Sequence, residues 1–208
     1  MVKVGDYVAA FDLSPLAEYQ ELPPWRCVQQ AASIVEQLLS VLPQDRYAVT
    51  NNIAIHRTAT VESGAVLKGP LIIGAACFIA SGAYLRGGCW IDTNCIVGPG
   101  AELKSSFMFQ GSKLAHFNFV GDSILGSHVN LEAGSIICNY RNERADKEIR
   151  VCDGDSLRGT GVDKFGALIG DGARIGANAV VAPGALIARG AVLARGRVLD
   201  QEVACSAA

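Results

Sequence analysis

Three side chains in the middle of this chain are of types that could do chemistry together: Arg86, Lys104 and His116. His116 lies in LAHFNF, among apolar and amide residues. An imidazole that titrates near neutral pH can take a proton from an attacking nucleophile. Taken alone, such a histidine reads as a satisfied, half-buried ring. Arg86 and Lys104 are 18 residues apart. In a chain that coils with that period they stand one above the other at about 4.8 Å. Two stacked cations repel unless an anion sits against them, and phosphate is the natural ligand for such a pair. The alternative is two solvated surface charges. His56 and His128 read as surface residues. The 60 residues between His56 and His116 are not a multiple of 18, which argues against a three-histidine metal site, and no metal is expected.

The elements that must position these groups are written in the periodicity. Aliphatic residues recur every six positions: Ile55, Val61, Leu67, Ile73, Ile79, Leu85, Ile91, Val97 and Leu103. Four residues after most of them stands a small one: Ala59, Ala65, Cys77, Ala83, Cys89, Cys95 and Ala101, with Leu71 the exception. The frame returns as Ile169, Ile175, Val181, Ile187, Leu193 and Leu199, with Ala173, Ala179, Ala185 and Ala191 at the small position. A hexapeptide repeat of this kind predicts an all-β solenoid, a parallel β-helix in which three hexads make one coil. Cys77, Cys89 and Cys95 then read as buried fillers of tight corners.

Between the two regular blocks the register slips. Five-residue steps lead from Leu103 to Met108 and from Val120 to Leu125. Slips of this sort bend a solenoid and turn side chains outward, as bulges do in sheets. Residues 138–165, CNYRNERADKEIRVCDGDSLRGTGVDKF, leave the pattern altogether and read as a lid or binding loop. Upstream, Tyr7, Phe11, Leu13 and Leu16 are placed to pack an edge. Residues 25–42 read as one amphipathic helix that covers the open end of the solenoid, with Pro23-Pro24 before it and Pro43 after it. The expected division is a helical cap over 1–50 and a solenoid over 51–202, with the extended loop at 138–165.

Composition excludes several classes. The net charge of −2 and the lack of Lys/Arg runs argue against nucleic acid as partner. Mean hydropathy is positive, yet no apolar run approaches the roughly 20 residues of a membrane span. The start, MVKVGDYVAAFDLSP, has no signal-peptide pattern, so a cytoplasmic location is expected. Seven cysteines, an odd number without any CxxC, then read as free thiols.

The stretch GSKLAHFNFVGDSILGSHVNLEAGSIICNY resembles the acetyltransferase half of the bifunctional bacterial UDP-N-acetylglucosamine pyrophosphorylase/glucosamine-1-phosphate N-acetyltransferases. It is also similar to archaeal sugar-phosphate acetyltransferases, which the long loop matches better. The similarity covers about residues 55–200 and is strongest over 110–140. It implies a homotrimer of left-handed β-helices with acetyl-CoA, as co-substrate, between subunits. It implies that His116 is the general base and that Arg86 and Lys104 bind the sugar phosphate. Asn130, Asn139 and Tyr140 match the family's sugar contacts, Lys164 (with Lys147 as alternative) its following lysine, and Ala177 a small residue near CoA. Phe119 departs from the family's tyrosine and removes one hydroxyl contact. Only about 50 residues precede the repeat, so uridylyl transfer is not expected of this chain.

Three functions follow as expectations. The first is acetyl-CoA-dependent N-acetylation of glucosamine or galactosamine 1-phosphate. The second keeps the fold and changes the acceptor to a nucleotide-linked sugar or another amine or hydroxyl. The third is a non-catalytic trimeric scaffold, which would have no use for the Arg86, Lys104, His116 and Asn139-Tyr140 set.

Overall fold

The computed structural model describes residues 2–206. Its core is a solenoid with three parallel sheets of very short strands. The first sheet runs through Ile53–His56, Leu71–Ile73, Cys89–Ile91, Phe107–Met108, Ile124–Leu125, Ala167–Ile169 and Ala185–Ile187, with Tyr47–Thr50 added antiparallel at its edge. The second holds Thr60–Val61 through Val192–Leu193, and the third Val66–Leu67 through Val198–Leu199, seven strands each. The hexad aliphatics are the inward column of every sheet: Ile73 pairs with Ile91, Ile79 with Val97, Leu85 with Leu103. All of these six are fully buried. Each buried aliphatic contributes roughly 1.5–3 kcal/mol. Cys77, Cys89 and Cys95 sit in the same core, as their corner spacing predicts.

Both five-residue slips fall at one place, the corner between the third and first sheets. Met108 still pairs with Ile91 and Leu125 with Met108, so these coils are one residue shorter. The deletion is absorbed by left-handed turns at Ser105 and Asp122, each with φ of 47°. The long excursion departs from this corner too, since it leaves after Ile137, the last residue of its strand in the third sheet, and returns at Ala167, the first of the next strand in the first sheet.

A second core lies outside the solenoid. Outward residues of the first sheet, among them Ile72, Trp90, Phe107, Ile124 and Leu168, are covered by Val4, Val8, Phe11, Leu16 and two helices. The expected single helix is two, α1 (Pro24–Gln29) and α2 (Ala31–Val41), broken at Gln30 where the backbone leaves helical geometry. α2 packs on the face of the first sheet, not over the solenoid's end. That face is apolar on its outer side and would otherwise meet water, which decides where the helix goes. Phe11 and Leu16 are buried as expected, whereas Leu13 is exposed.

The excursion is structured. Arg150–Asp153 and Ser156–Gly159 form an antiparallel hairpin, and Ile149, Val151, Val162 and Phe165 join the second core. A C-terminal helix, α3 (Gln201–Ser206), holds it down. Buried Arg141 donates to Asp200 Oδ2 at 2.6 Å and Oδ1 at 2.9 Å, and lies 3.1 Å from Glu202 Oε2. Arg144 and Arg150 converge on Glu202 Oε1. Cys152 and Cys205 are disulfide-bonded, which corrects the expectation that all seven cysteines are free. They are 53 residues apart in sequence, and only the docking of hairpin on α3 brings them together. Among the described residues no helix is long and apolar enough to cross a membrane.

Candidate active site

The corner where the slips and the excursion meet carries most of the candidate residues. Arg86 and Lys104 occupy equivalent positions on neighbouring strands of the third sheet, as the 18-residue spacing requires. Next in that column comes Gly121. Asn139 and Tyr140 leave the sheet just beyond it, and Lys164 stands where the chain returns. Phe165 N–H donates to Asn139 C=O at 3.1 Å and closes the neck of the excursion. Arg86, Lys104, Phe119, Asn139, Tyr140, Asp163 and Lys164 together line an open depression of about 480 Å³. Lys147 does not line it. Its ammonium lies 5.0 Å from the centroid of the Tyr140 ring and donates to the carbonyls of Arg141 and Asn142. Of the two lysines left open by the sequence, Lys164 is the one in the depression.

The two stacked cations are not waiting for an external anion. Arg86 Nη2 lies 2.7 Å from Glu102 Oε1, and Lys104 Nζ lies 2.7 Å from Asp122 Oδ2. Sequence spacing paired the cations with each other and missed these carboxylates. Glu102 sits on the strand of Lys104, two residues before it, and Asp122 one position beyond the column. The signal was present, because a strand places residues two apart on one face. Lys164, by contrast, forms no ion pair among the described residues.

His116 lies on the opposite border of the third sheet, at its corner with the second. Its side chain is exposed, not half-buried, and Phe117 beside it is 69% exposed. Gly134 N–H donates to His116 C=O at 2.8 Å, and Asn178 N–H to Ala133 C=O at 3.0 Å. His116, Ala133 and Ala177 therefore stack on one corner, which puts Ala177 about 10 Å from His116, two coils away. The Ala177 N–H already donates to Glu132 Oε2 at 2.8 Å. Glu132 also takes two bonds of 2.7 Å from Arg195, and that guanidinium lowers its carboxyl pKa. Asn130 falls outside the depression, on the second sheet between Lys113 and Arg174. From His116 to Gly121 the chain runs five residues, at most about 16 Å. Phe119 lies between. The structure thus offers an exposed imidazole, an aromatic floor and a polar, cation-bearing depression on one sheet. Among the described residues no group of three or more His, Cys, Asp or Glu could hold a metal ion.

Comparison with known proteins agrees with the repeat. Residues 70–105 match the family model described as bacterial transferase hexapeptide (six repeats). A bifunctional sugar-1-phosphate nucleotidylyltransferase/acetyltransferase of Sulfurisphaera tokodaii is 38% identical over 68 residues, 33% of this chain and 16% of that protein. The bifunctional protein GlmU of Carboxydothermus hydrogenoformans is 47% identical over 38 residues, 18% of this chain and 8% of its own. That of Herminiimonas arsenicoxydans is 30% identical over 96 residues, 46% and 21% of the two chains. The matches thus span about a fifth or less of these relatives' own length. Among solved structures, a hexapeptide transferase family protein of Anaplasma phagocytophilum has a TM-score of 0.34 at 18% identity, covering 70% of this chain and 72% of that one. A score that low carries no weight here. By its repeat and this distant, partial homology, the chain is similar to the hexapeptide-repeat transferases, GlmU and its archaeal counterpart among them.

Proposed function

We propose that this protein is an acyl-CoA-dependent acyltransferase that acetylates the amine of an amino-sugar 1-phosphate, glucosamine or galactosamine. The observation that carries the reading is the depression itself. Five of the six residues matched to acceptor contacts, Arg86, Lys104, Asn139, Tyr140 and Lys164, line it together. Lys104, Lys164 and the fork of Arg86 supply the charge-assisted donors a phosphate needs. Asn139 and Tyr140 supply polar contacts for sugar hydroxyls. His116 takes a proton from the sugar's ammonium, and the freed amine attacks the thioester carbonyl. The tetrahedral intermediate then collapses, the C–S bond breaks and CoA leaves as its thiol once protonated. Acetyl-CoA would run along the corner that stacks His116 and Ala177, and no metal takes part. The assembly is a homotrimer, a reading supported by the uncovered apolar residues at this corner and on the third sheet, Phe117, Val66 and Val198.

A second reading keeps the transfer and changes the acceptor to a nucleotide-linked sugar or another amine or hydroxyl. It is supported by Phe119, which offers no hydroxyl to a phosphate, and by the carboxylates that already pair Arg86 and Lys104. Thiol release from acetyl-CoA, measured across amino-sugar 1-phosphates, their unphosphorylated sugars and UDP-amino sugars, separates the two. Turnover confined to a sugar 1-phosphate and lost in His116→Ala supports the first. Turnover confined to any other acceptor replaces it with the second. No turnover across the panel, together with no acetyl-CoA binding, rejects both.

A further inference from the structure

Asp122 does not line the acceptor depression, yet it binds three of the segments that do. Its carboxylate is nearly buried, at 8% exposure. Lys104 Nζ donates to it at 2.9 Å (Oδ1) and 2.7 Å (Oδ2), and Asn139 Nδ2 donates to Oδ2. Its backbone N–H donates to Lys104 C=O at 2.8 Å, and its C=O accepts from Gly166 N–H at 2.8 Å, two residues past Lys164. The left-handed turn at the shortened corner is what places this side chain there. A second feature is matched to it. A Cβ at Gly121 would stand 2.6 Å from Asn139 Nδ2, so only glycine lets the Asn139 amide reach the carboxylate.

We infer that Asp122 is the positioning residue of the acceptor pocket, fixing the Lys104 ammonium and the Asn139 amide against each other so that both meet the acceptor in one arrangement. What the pocket does rests on the acyltransferase reading above; what holds it together does not. The chemistry selects an aspartate. Two donors converge on one point, and a carboxylate has two oxygens and no proton to place against them. An asparagine at 122 has one oxygen, and its NH₂ must face either the ammonium or the Asn139 amide. It also leaves the Lys104 charge uncompensated in a half-buried position.

The test compares Asp122→Asn, Asp122→Glu and Gly121→Ala with wild type in the full chain. Side-chain amide NMR follows Asn139, whose signals are assigned by their loss in Asn139→Ala, and thiol-release kinetics give KM for the acceptor and for acetyl-CoA separately. Asp122→Asn and Gly121→Ala are expected to move the Asn139 signals. They should raise the acceptor KM about tenfold or more while the acetyl-CoA KM stays within about twofold. Asp122→Glu should recover part of the acceptor affinity lost in Asp122→Asn. Unmoved Asn139 signals, acceptor and acetyl-CoA KM rising together, or a glutamate no better than the asparagine would each overturn the assignment. Should wild type turn over no acceptor, the acyltransferase reading is what fails. The Asn139 signals then decide alone: displaced, they support the role of Asp122, and undisturbed, they reject it.

Discussion

The outer faces of the first and third sheets are built on the same inner repeat and have opposite fates. On the first, the outward positions are Ala54, Ile72, Trp90, Phe107, Ile124, Leu168 and Leu186, all buried beneath the N-terminal segment, α2 and the excursion. On the third they are Val66, Tyr84, Glu102, Phe119, Ile136, Val180 and Val198, and none is buried. The inward columns are indistinguishable, so the difference lies only in what the alternate residue of each short strand carries. One face adds a second core. The other presents apolar stripes, an exposed imidazole at one border and paired cations at the other. The fold therefore separates the part that stabilises from the part proposed to react, and this separation can be tested by substitution.

The largest effect is expected at the bare face. His116→Ala should lower the rate of thiol release by about 10²–10⁴-fold, the usual contribution of a positioned general base. Its melting temperature should stay at the wild-type value, because the ring is exposed and makes no hydrogen bond among the described residues. Retained turnover would remove His116 from the mechanism, and a collapsed melting temperature would make it structural.

The covered face should respond the other way. Phe107 is fully buried in the second core, and Phe107→Ala should cost about 3–5 kcal/mol in urea unfolding. Phe119→Ala, half-exposed on the third sheet, should cost under about 1 kcal/mol and instead change acceptor KM. Equal losses of stability for the two would erase the distinction between the faces.

The inner face was legible from sequence and the outer faces much less so. A six-residue period in aliphatics has one solution, and its spacing alone is enough to set Arg86 above Lys104. The apolar outer positions, such as Ile72, Trp90 and Ile124, were visible one residue before hexad aliphatics, but a period-six count ignores them. Reading them would have sent α2 to the sheet face instead of the solenoid's end. The ion pairs of Glu102 and Asp122 were hidden differently. Asp122 reaches Lys104 only because the corner is one residue short, and a slip gives no direction for the side chain it displaces. The Cys152–Cys205 bridge depends on two irregular segments meeting, for which sequence has no period at all.

A middling effect is expected from the cation column. Lys104→Ala should raise KM for a phosphorylated acceptor about 10- to 100-fold, the scale of one charge-assisted hydrogen bond. The KM for acetyl-CoA should not change, since its proposed path follows the other border of the sheet. Steady-state kinetics with both substrates varied give the answer, and parallel losses in both would withdraw the phosphate role.

The smallest effect concerns the clamp that holds the excursion, and with it Asn139 and Lys164, against the covered side. The bond from Arg141, foremost, holds the Asp200 carboxyl below its ordinary value. A carboxyl whose pKa is depressed on folding stabilises the native state above its unfolded value, near pH 4, and loses that contribution as pH falls through the folded value. Asp200 is partly exposed to water, which screens the pair and keeps the effect modest. Melting temperature should therefore separate wild type from Asp200→Asn by a constant margin above pH 4, and the two should converge below it. No margin at any pH would mean that Arg141 is held by Glu202 and not by Asp200. The excursion would then be fastened to the side of α3 rather than to the residue that precedes it.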